Sequence, residues 1–323
     1  MSHKRIAVIR GGPSSEYAVS MRSGAAMIST LRELGYTVKD VVITRSGEWL
    51  ERGLAQSPAT ILVDVDVVCL ALHGRYGEDG EIQKLLQRLH VPFTGSRAFP
   101  SARAYNKHLT KELVTQHGIK TPAARRVRQE DIADMERLIA ELNDALGNEL
   151  FIKPVADGSS VGAEYSPSLE SLVQRLPDLL NEYEELLIEE YIRGREATVG
   201  VLEGFRDEPR YVLPVVEIVT PRSAQFYDYT NKYNGETQQH CPARFSYAEK
   251  QQLADLAALA HEVLELSQYS RSDFIIRDGD VYFLEVNTLP GFTPTSNFPL
   301  AAAAVGLSFP ELLRYLIETA TVN

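Results

Sequence analysis

The sequence predicts an α/β protein of two or three domains, opening on a Rossmann-like parallel sheet with helices on its faces. Three observations carry this: strand–turn–helix alternation in the first third, a change of pattern near residues 95–105, and a length of 323 residues. A chain of that length divides more readily into two or three cores than one. Hydrophobic residues at 44% and charged residues at 24% fit an ordinary soluble globular protein. The formal charge of -11 gives no basic footprint for nucleic acid, although phosphates respond to a few local lysines and amides rather than to net charge. Two cysteines are too few for a disulfide framework, and Cys69, inside Val67-Val68-Cys69-Leu70, reads as a small buried hydrophobe. The amino terminus has no apolar signal core, and no uncharged run approaches the roughly 20 apolar residues of a membrane span. A cytoplasmic protein without membrane contact is expected.

Residues 5–9 form a short apolar strand ending at Gly11-Gly12. A periodic apolar stretch over 16–34 then reads as a helix closed by Gly35, and strands follow at 38–44 and 66–72. In such sheets ligands collect at the carboxyl ends of the strands, where Gly11-Gly12 and His73-Gly74 lie. Gly95-Ser96 and Pro100-Ser101 punctuate the chain before two helical segments and a second α/β unit with a strand at 150–153. Strands are expected at 186–191, 197–202 and 211–219. A polar loop rich in Tyr, Asn and Gln spans 220–244. A long helix over 246–266, a strand pair at 272–276 and 281–286, and a closing helical region complete the chain. The expected division is 1–97, 98–184 and 185–323.

The strongest chemical signal is Asp273 with Glu285 and Asn287, on two strands joined by an Asp-Gly turn. Glu285 and Asn287 are two apart and share a strand face. Oxygen ligands on a rigid hairpin suit Mg²⁺. A solvated polar face is the plainer account, but a carboxylate in the apolar run Phe283-Leu284-Glu285-Val286 is costly without a partner. Lys153-Pro154 followed by Asp157-Gly158-Ser159-Ser160-Val161-Gly162 reads as a triphosphate-holding lysine and turn, or equally as a hairpin turn alone. Neither GxxxxGK[ST] nor GxGxxG occurs. Gly11-Gly12-Pro13-Ser14-Ser15-Glu16 at a helix start offers amides to an anion, or serves only as cap and first turn. His73-Gly74-Arg75-Tyr76-Gly77-Glu78-Asp79-Gly80 either hugs a ligand or makes a wide turn. The seven histidines show no zinc-ligand spacing.

Together these segments resemble the D-alanine–D-alanine ligases of the ATP-grasp fold, in order and over nearly the whole chain. Tyr227-Asp-Tyr-Thr-Asn-Lys232-Tyr233 and Glu285-Val-Asn-Thr-Leu-Pro-Gly291-Phe-Thr293-Pro-Thr-Ser296 carry the resemblance with the motifs already quoted. It implies a three-domain ATP-grasp fold and ATP-dependent joining of two D-alanines for peptidoglycan, the polymer that sets cell shape. Lys107, Lys153 and Lys232 are then the phosphate-contacting lysines, with Glu189, Glu190 and Ile192 at the adenine and Glu196 at the ribose. Asp273, Glu285 and Asn287 correspond to ligands of two Mg²⁺ (or Mn²⁺) ions, Glu285 bridging. Glu16 holds the ammonium of the first D-alanine, His73 lies at its carboxylate, and Ser296 takes the carboxylate of the second. Arg271 and the amide of Gly291 stabilise the oxyanion. Ser159 and Tyr233 link to Glu16 and close a lid from the 220–244 loop. The expected partners are small molecules and a second copy in a homodimer.

The chain departs from the family's usual pattern at Tyr17, Asn106, Ser272 and Thr230-Asn231, none of which removes a catalytic group. The rival readings are a related ligase with another acceptor (D-lactate or D-serine) or amino-acid pair, and a non-catalytic nucleotide-binding descendant. Intact metal ligands and Arg271 speak against the latter.

Overall fold

The computed structural model describes residues 4–156, 162–220 and 237–322. Its first sheet contains β1 (Arg5–Gly11), β2 (Thr37–Ile43), β3 (Trp49–Glu51), β4 (Leu54–Ala55) and β5 (Val67–Leu70), in the order β4-β3-β2-β1-β5. β1 runs parallel to β2 and β5, as the alternation predicts. The sheet is mixed rather than purely parallel, because β3 and β4 add antiparallel. Only residues 44–48 separate β2 from β3, too few for the helical crossover that a parallel neighbour needs. Helix α1 (Tyr17–Glu33) buries Val19, Ser23, Met27, Ile28 and Leu31, the stripe expected at helical spacing. The short α2 (Pro58–Leu62) and α3 (Glu81–Arg88) follow. Cys69 is buried in β5, and burial pushes its thiol up to about 12.

After α4 (Ala98–Tyr105) and α5 (Lys107–Gln116) comes an antiparallel sheet of β6 (Ala124–Arg128), β7 (Leu150–Pro154), β8 (Glu164–Ser166) and β9 (Glu185–Glu190), ordered β6-β9-β7-β8. Helices α6 (Met135–Leu146) and α7 (Leu169–Glu182) cover it through Leu138, Leu142, Leu172 and Leu176. The third sheet holds β10 (Arg195–Glu203), β11 (Arg210–Val212), β12 (Val216–Val219), β13 (Gln238–His240), β14 (Tyr269–Arg277) and β15 (Asp280–Asn287). Its order is β13-β12-β10-β14-β15, with β11 also on β10. The single strand expected over 211–219 is two, interrupted where Pro214 has no N–H for the ladder. The expected loop over 220–244 ends in β13, paired with β12. Its residues 221–236 lie outside the described residues. Asp278 and Gly279, both at positive φ, make the turn between β14 and β15.

Helix α8 (Tyr247–Val263) starts on a Ser246/Glu249 capping box, and α9 (Asn297–Ala304) and α10 (Phe309–Thr319) end the chain. The last two return to the first sheet, where Phe298, Leu312, Leu316 and Ile317 share one core with Ile6, Met27 and Leu31. Core membership shifts the expected divisions. Strand β9, placed with the last unit by a break after residue 184, belongs to the middle sheet. Ala104, Val114 and Ile119, placed in the middle unit, pack with Phe274 and Phe283 of the third sheet and Leu253 of α8. Among the described residues no single helix is long and apolar enough to cross a membrane.

Candidate active site

The second and third sheets enclose a cleft of about 190 Å³. Lys107 from α5, Lys153 from β7, Glu189 and Glu190 from β9, Ile192 and Glu196 line it, and so do Arg271, Asp273 and Glu285. Strand register builds its polar wall. Asp273 sits opposite Glu285 and Arg271 opposite Asn287, and directly opposed residues of an antiparallel pair share a face. Arg271 grips Asp273 with both arms of its guanidinium, Nε to Oδ1 at 2.9 Å and Nη2 to Oδ2 at 2.8 Å. Thr198 Oγ1 donates to Asp273 Oδ1 at 2.6 Å, and Asn287 Nδ2 donates to Oδ2 at 3.1 Å. Lys107 Nζ stands 3.9 Å from Glu285 Oε2. A register irregularity between Asp273 and Phe274 lets the strand change its alternation beside the site.

In the wall beside Lys153, Glu189 is almost fully buried, with Lys111 Nζ 2.5 Å and Lys153 Nζ 3.0 Å from its Oε1. Burial pushes the Glu189 carboxyl up, but the two ammonium groups outweigh it and hold it below the usual range. Burial, and then the neighbouring Lys153 cation, lower the Lys111 pKa to about 8 against the pull of Glu189.

The second half of the site lies where the first sheet's loops meet the loop after β15. Gly11 and Gly12 both have positive φ, and a Cβ on Gly11 would stand 2.2 Å from the Ile43 carbonyl oxygen, so the turn into Glu16 requires glycine there. Glu16 is buried, and its backbone N–H donates to Ser14 Oγ, which donates to the His73 carbonyl at 2.7 Å. Gly74 presses on it so closely that a Cβ would lie 2.8 Å from Glu16 Oε2. His73 Nδ1 bonds the Leu289 carbonyl at 2.8 Å, which makes Nδ1 the protonated nitrogen. Its Nε2 then accepts from Ser23 Oγ at 3.0 Å, and Ser23 Oγ accepts the Phe292 N–H. Desolvation favours the neutral ring and lowers its pKa despite the nearby Glu16.

Glu78 joins these loops. Its Oε2 accepts the Gly74 N–H, and its Oε1 accepts the N–H groups of Thr288 and Leu289 at 3.1 and 3.0 Å. Burial first, and then repulsion from Glu16, raise its pKa to about 7. Glu78, Lys107, Glu285 and Asn287 also line one small cavity, so the two halves of the site adjoin there. Ser296, at the start of α9, exchanges hydrogen bonds with Thr293 and does not cap the helix with its hydroxyl. Gly291 lies against it, with its Cβ position 3.3 Å from Ser296 Oγ.

The family model described as "D-ala D-ala ligase C-terminus" matches residues 113–318, and "D-ala D-ala ligase N-terminus" matches 51–96. The chain belongs to the D-alanine–D-alanine ligase family. It is similar to the D-alanine–D-alanine ligase of Aquifex aeolicus, 37% identical over 97% of this chain and 99% of that protein. Among solved structures it resembles the VanG D-Ala:D-Ser ligase of Enterococcus faecalis, with TM-score 0.82, 30% identity, and 98% and 99% of the two chains covered. It also resembles the Bacillus anthracis D-alanine–D-alanine ligase, with TM-score 0.79, 30% identity, and 98% and 97% covered. These neighbours carry the ATP-grasp fold expected from the motifs.

Membership gives the geometry a frame in which the expected residues divide plainly. The cleft gathers Lys107, Lys153, Glu189, Glu190, Ile192, Glu196, Arg271, Asp273 and Glu285. Asn287 completes the polar face, while Glu16, His73, Gly291 and Ser296 lie in the adjoining loops. Ser159, Lys232 and Tyr233 lie outside the described residues. His73, expected at a substrate carboxylate, engages protein groups through both ring nitrogens, and these bonds also tie it to the 289–292 loop. Lys111, Glu78 and Thr198 carry geometry that the sequence analysis gave no role. Glu78 stands inside a motif already quoted, and Lys111 is one helical turn from Lys107, so spacing alone could have raised both.

Asp273, Glu285 and Asn287 fit a Mg²⁺ site by donor chemistry, since two carboxylates and an amide are hard oxygen donors suited to an ion that also keeps phosphate and water. Among the described residues no cluster of three or more His, Cys, Asp or Glu makes a self-sufficient metal cage.

The Glu78 clamp makes a pH prediction. Its folded pKa, about 7, lies above the ordinary 4.5. The folded chain therefore keeps a proton that the unfolded chain releases, and this group's contribution to stability falls as pH rises from about 4.5 to about 7. The displacement corresponds to a contribution on the order of 3 kcal/mol. The melting temperature of wild type should fall relative to that of Glu78→Gln as pH rises across that window. A constant difference would show that Glu78 has no raised pKa.

Proposed function

We propose that this chain is an ATP-dependent ligase that joins two D-alanine molecules into D-alanyl-D-alanine for peptidoglycan precursors. The observation that carries this reading is the placement of Arg271. It lines the cleft of lysines and carboxylates, and its register partner Asn287 lines the small cavity shared with Glu78 of the loop half. Phosphoryl transfer and acyl transfer need such neighbouring compartments.

In this reading Lys107, Lys153 and Lys232 bind the ATP phosphates, Glu189, Glu190 and Ile192 face the adenine, and Glu196 takes the ribose. The solved Bacillus anthracis D-alanine–D-alanine ligase complexed with ATP supports nucleotide binding. Two Mg²⁺ (or Mn²⁺) ions, held by Asp273, Glu285 and Asn287, neutralise phosphate charge when bound. Glu16 holds the ammonium of the first D-alanine, whose carboxylate oxygen takes the γ-phosphoryl group and leaves ADP. The second D-alanine, its carboxylate at Ser296, loses an ammonium proton and attacks the acyl carbon. Arg271 and the Gly291 amide stabilise the resulting oxyanion, and collapse expels phosphate. Ser159 and Tyr233 complete a link to Glu16 that shuts a lid against water.

The same reading places the enzyme in the cytoplasm as a homodimer. It divides the chain into an N-terminal substrate domain, a central unit with its core over 124–190, and a C-terminal unit with the metal and acceptor residues. Incubation with ATP, Mg²⁺ and D-alanine is expected to yield ADP, phosphate and the dipeptide by mass spectrometry. Equal D-lactate or D-serine should leave D-alanyl-D-alanine the main product. Absence of dipeptide, or a mixed product in excess, would overturn the assignment.

A further inference from the structure

The buried pair of lysines on Glu189 is not explained by nucleotide contacts alone. Lys107 and Lys111 are one turn apart on α5 and point to the same side. Lys107 reaches the cleft, whereas Lys111 lies behind its wall, its Nζ donating to the Pro122 carbonyl at 3.2 Å. Lys111 and Lys153 address the same oxygen, Glu189 Oε1, and all three side chains are less than a tenth exposed. Of the two cations, only Lys153 lines the cleft.

Two cations on one buried carboxylate are more than neutrality requires. The arrangement makes sense if one of them has to leave. When Lys153 turns toward a phosphate oxygen, a Glu189 paired with it alone would become an uncompensated buried charge, a strongly unfavourable state. We propose that Lys111 is a positioning residue for nucleotide binding: it keeps Glu189 charge-compensated so that Lys153 is released to the phosphates of ATP. This rests on the reading of the cleft as a nucleotide site. Lys111 itself touches no ligand in this scheme, because it does not line the cleft and its ammonium is held by Glu189 and the Pro122 carbonyl.

Titration of the full-length protein with a non-hydrolysable ATP analogue and Mg²⁺ tests it. Lys111→Met should raise the Kd by roughly tenfold or more, because the remaining buried pair then retains Lys153. Lys111→Arg, which keeps the charge, should restore most of the affinity. The decisive comparison is in a Glu189→Gln background, where no carboxylate competes for Lys153. There the added Lys111→Met should leave the Kd within about twofold of Glu189→Gln alone, since residues coupled through one partner are not additive. A Lys111 that merely packs the wall, or acts through its net charge, would cost the same in both backgrounds, and that result overturns the proposal. If Lys111→Met alone does not fold, the comparison within the Glu189→Gln background still decides: a tenfold loss there refutes the idea. Failure of the wild-type protein to bind the analogue would instead remove the nucleotide reading on which it rests.

Discussion

Glu285→Gln is expected to reduce ADP release with ATP, Mg²⁺ and D-alanine by at least ~100-fold, because one of two carboxylates assigned to phosphate-bound metal is neutralised. The change is nearly isosteric, and the Glu285 side chain is only 22% exposed and opposite Asp273, so packing on β15 is retained. Lys107, 3.9 Å away, loses a charged neighbour, which by itself would leave it freer to bind phosphate. Electrostatics among protein groups and metal assistance therefore predict opposite effects on nucleotide affinity at low Mg²⁺. A second readout is Mn²⁺ binding followed by electron paramagnetic resonance in the presence of ATP, which should weaken in the variant while the melting temperature changes little. Turnover within a few fold of wild type would show that Glu285 holds no catalytic metal.

Replacing Arg271 by Met is expected to lower dipeptide formation by about two orders of magnitude or more, the cost of roughly 3–4 kcal/mol for one donor to a developing oxyanion. The geometry sharpens this test. Arg271 already grips Asp273 through Nε and Nη2, so its removal also takes a cation from a carboxylate left with Thr198 and Asn287. If Arg271 serves mainly to hold Asp273, ATP affinity and dipeptide synthesis should fall together, and Arg271→Lys should recover part of both. If it stabilises the oxyanion, ATP binding should stay near wild type, ADP release should become uncoupled from dipeptide, and Arg271→Lys should recover little. A lysine supplies the charge but not the planar fork. Equal losses in ATP affinity and synthesis would assign Arg271 to Asp273 instead.

Much of this was legible before any coordinates. The periodicity of α1, the parallel core of the first sheet, the β14–β15 hairpin with its Asp-Gly turn, and the family all follow from local patterns. Those patterns report on single elements, because helix and strand periods and turn chemistry act within a few residues. The mixed edge of the first sheet is not legible locally, because β3 and β4 are short and carry no long alternating run. Pro214, which has no N–H for a ladder, is the local signal that divides this apolar stretch into β11 and β12.

By itself, then, the sequence determined the α/β class, the order of its elements, the family, and which residue types carry charge and oxygen donors into the site. Only the tertiary structure decided who faces whom. Strand register set Arg271 on Asp273 and opposed Glu285 to it; Glu78, far away in the chain, took the amides of Thr288 and Leu289; and both nitrogens of His73 were spent inside the protein. The cores redrew the expected divisions, moving β9 to the middle sheet and the α4–α5 segment to the third. The physical reason is common to all of these. Buried polar and charged groups must find partners wherever the fold brings them, and those partners are set by packing across distant segments rather than by the spacing of residues along the chain.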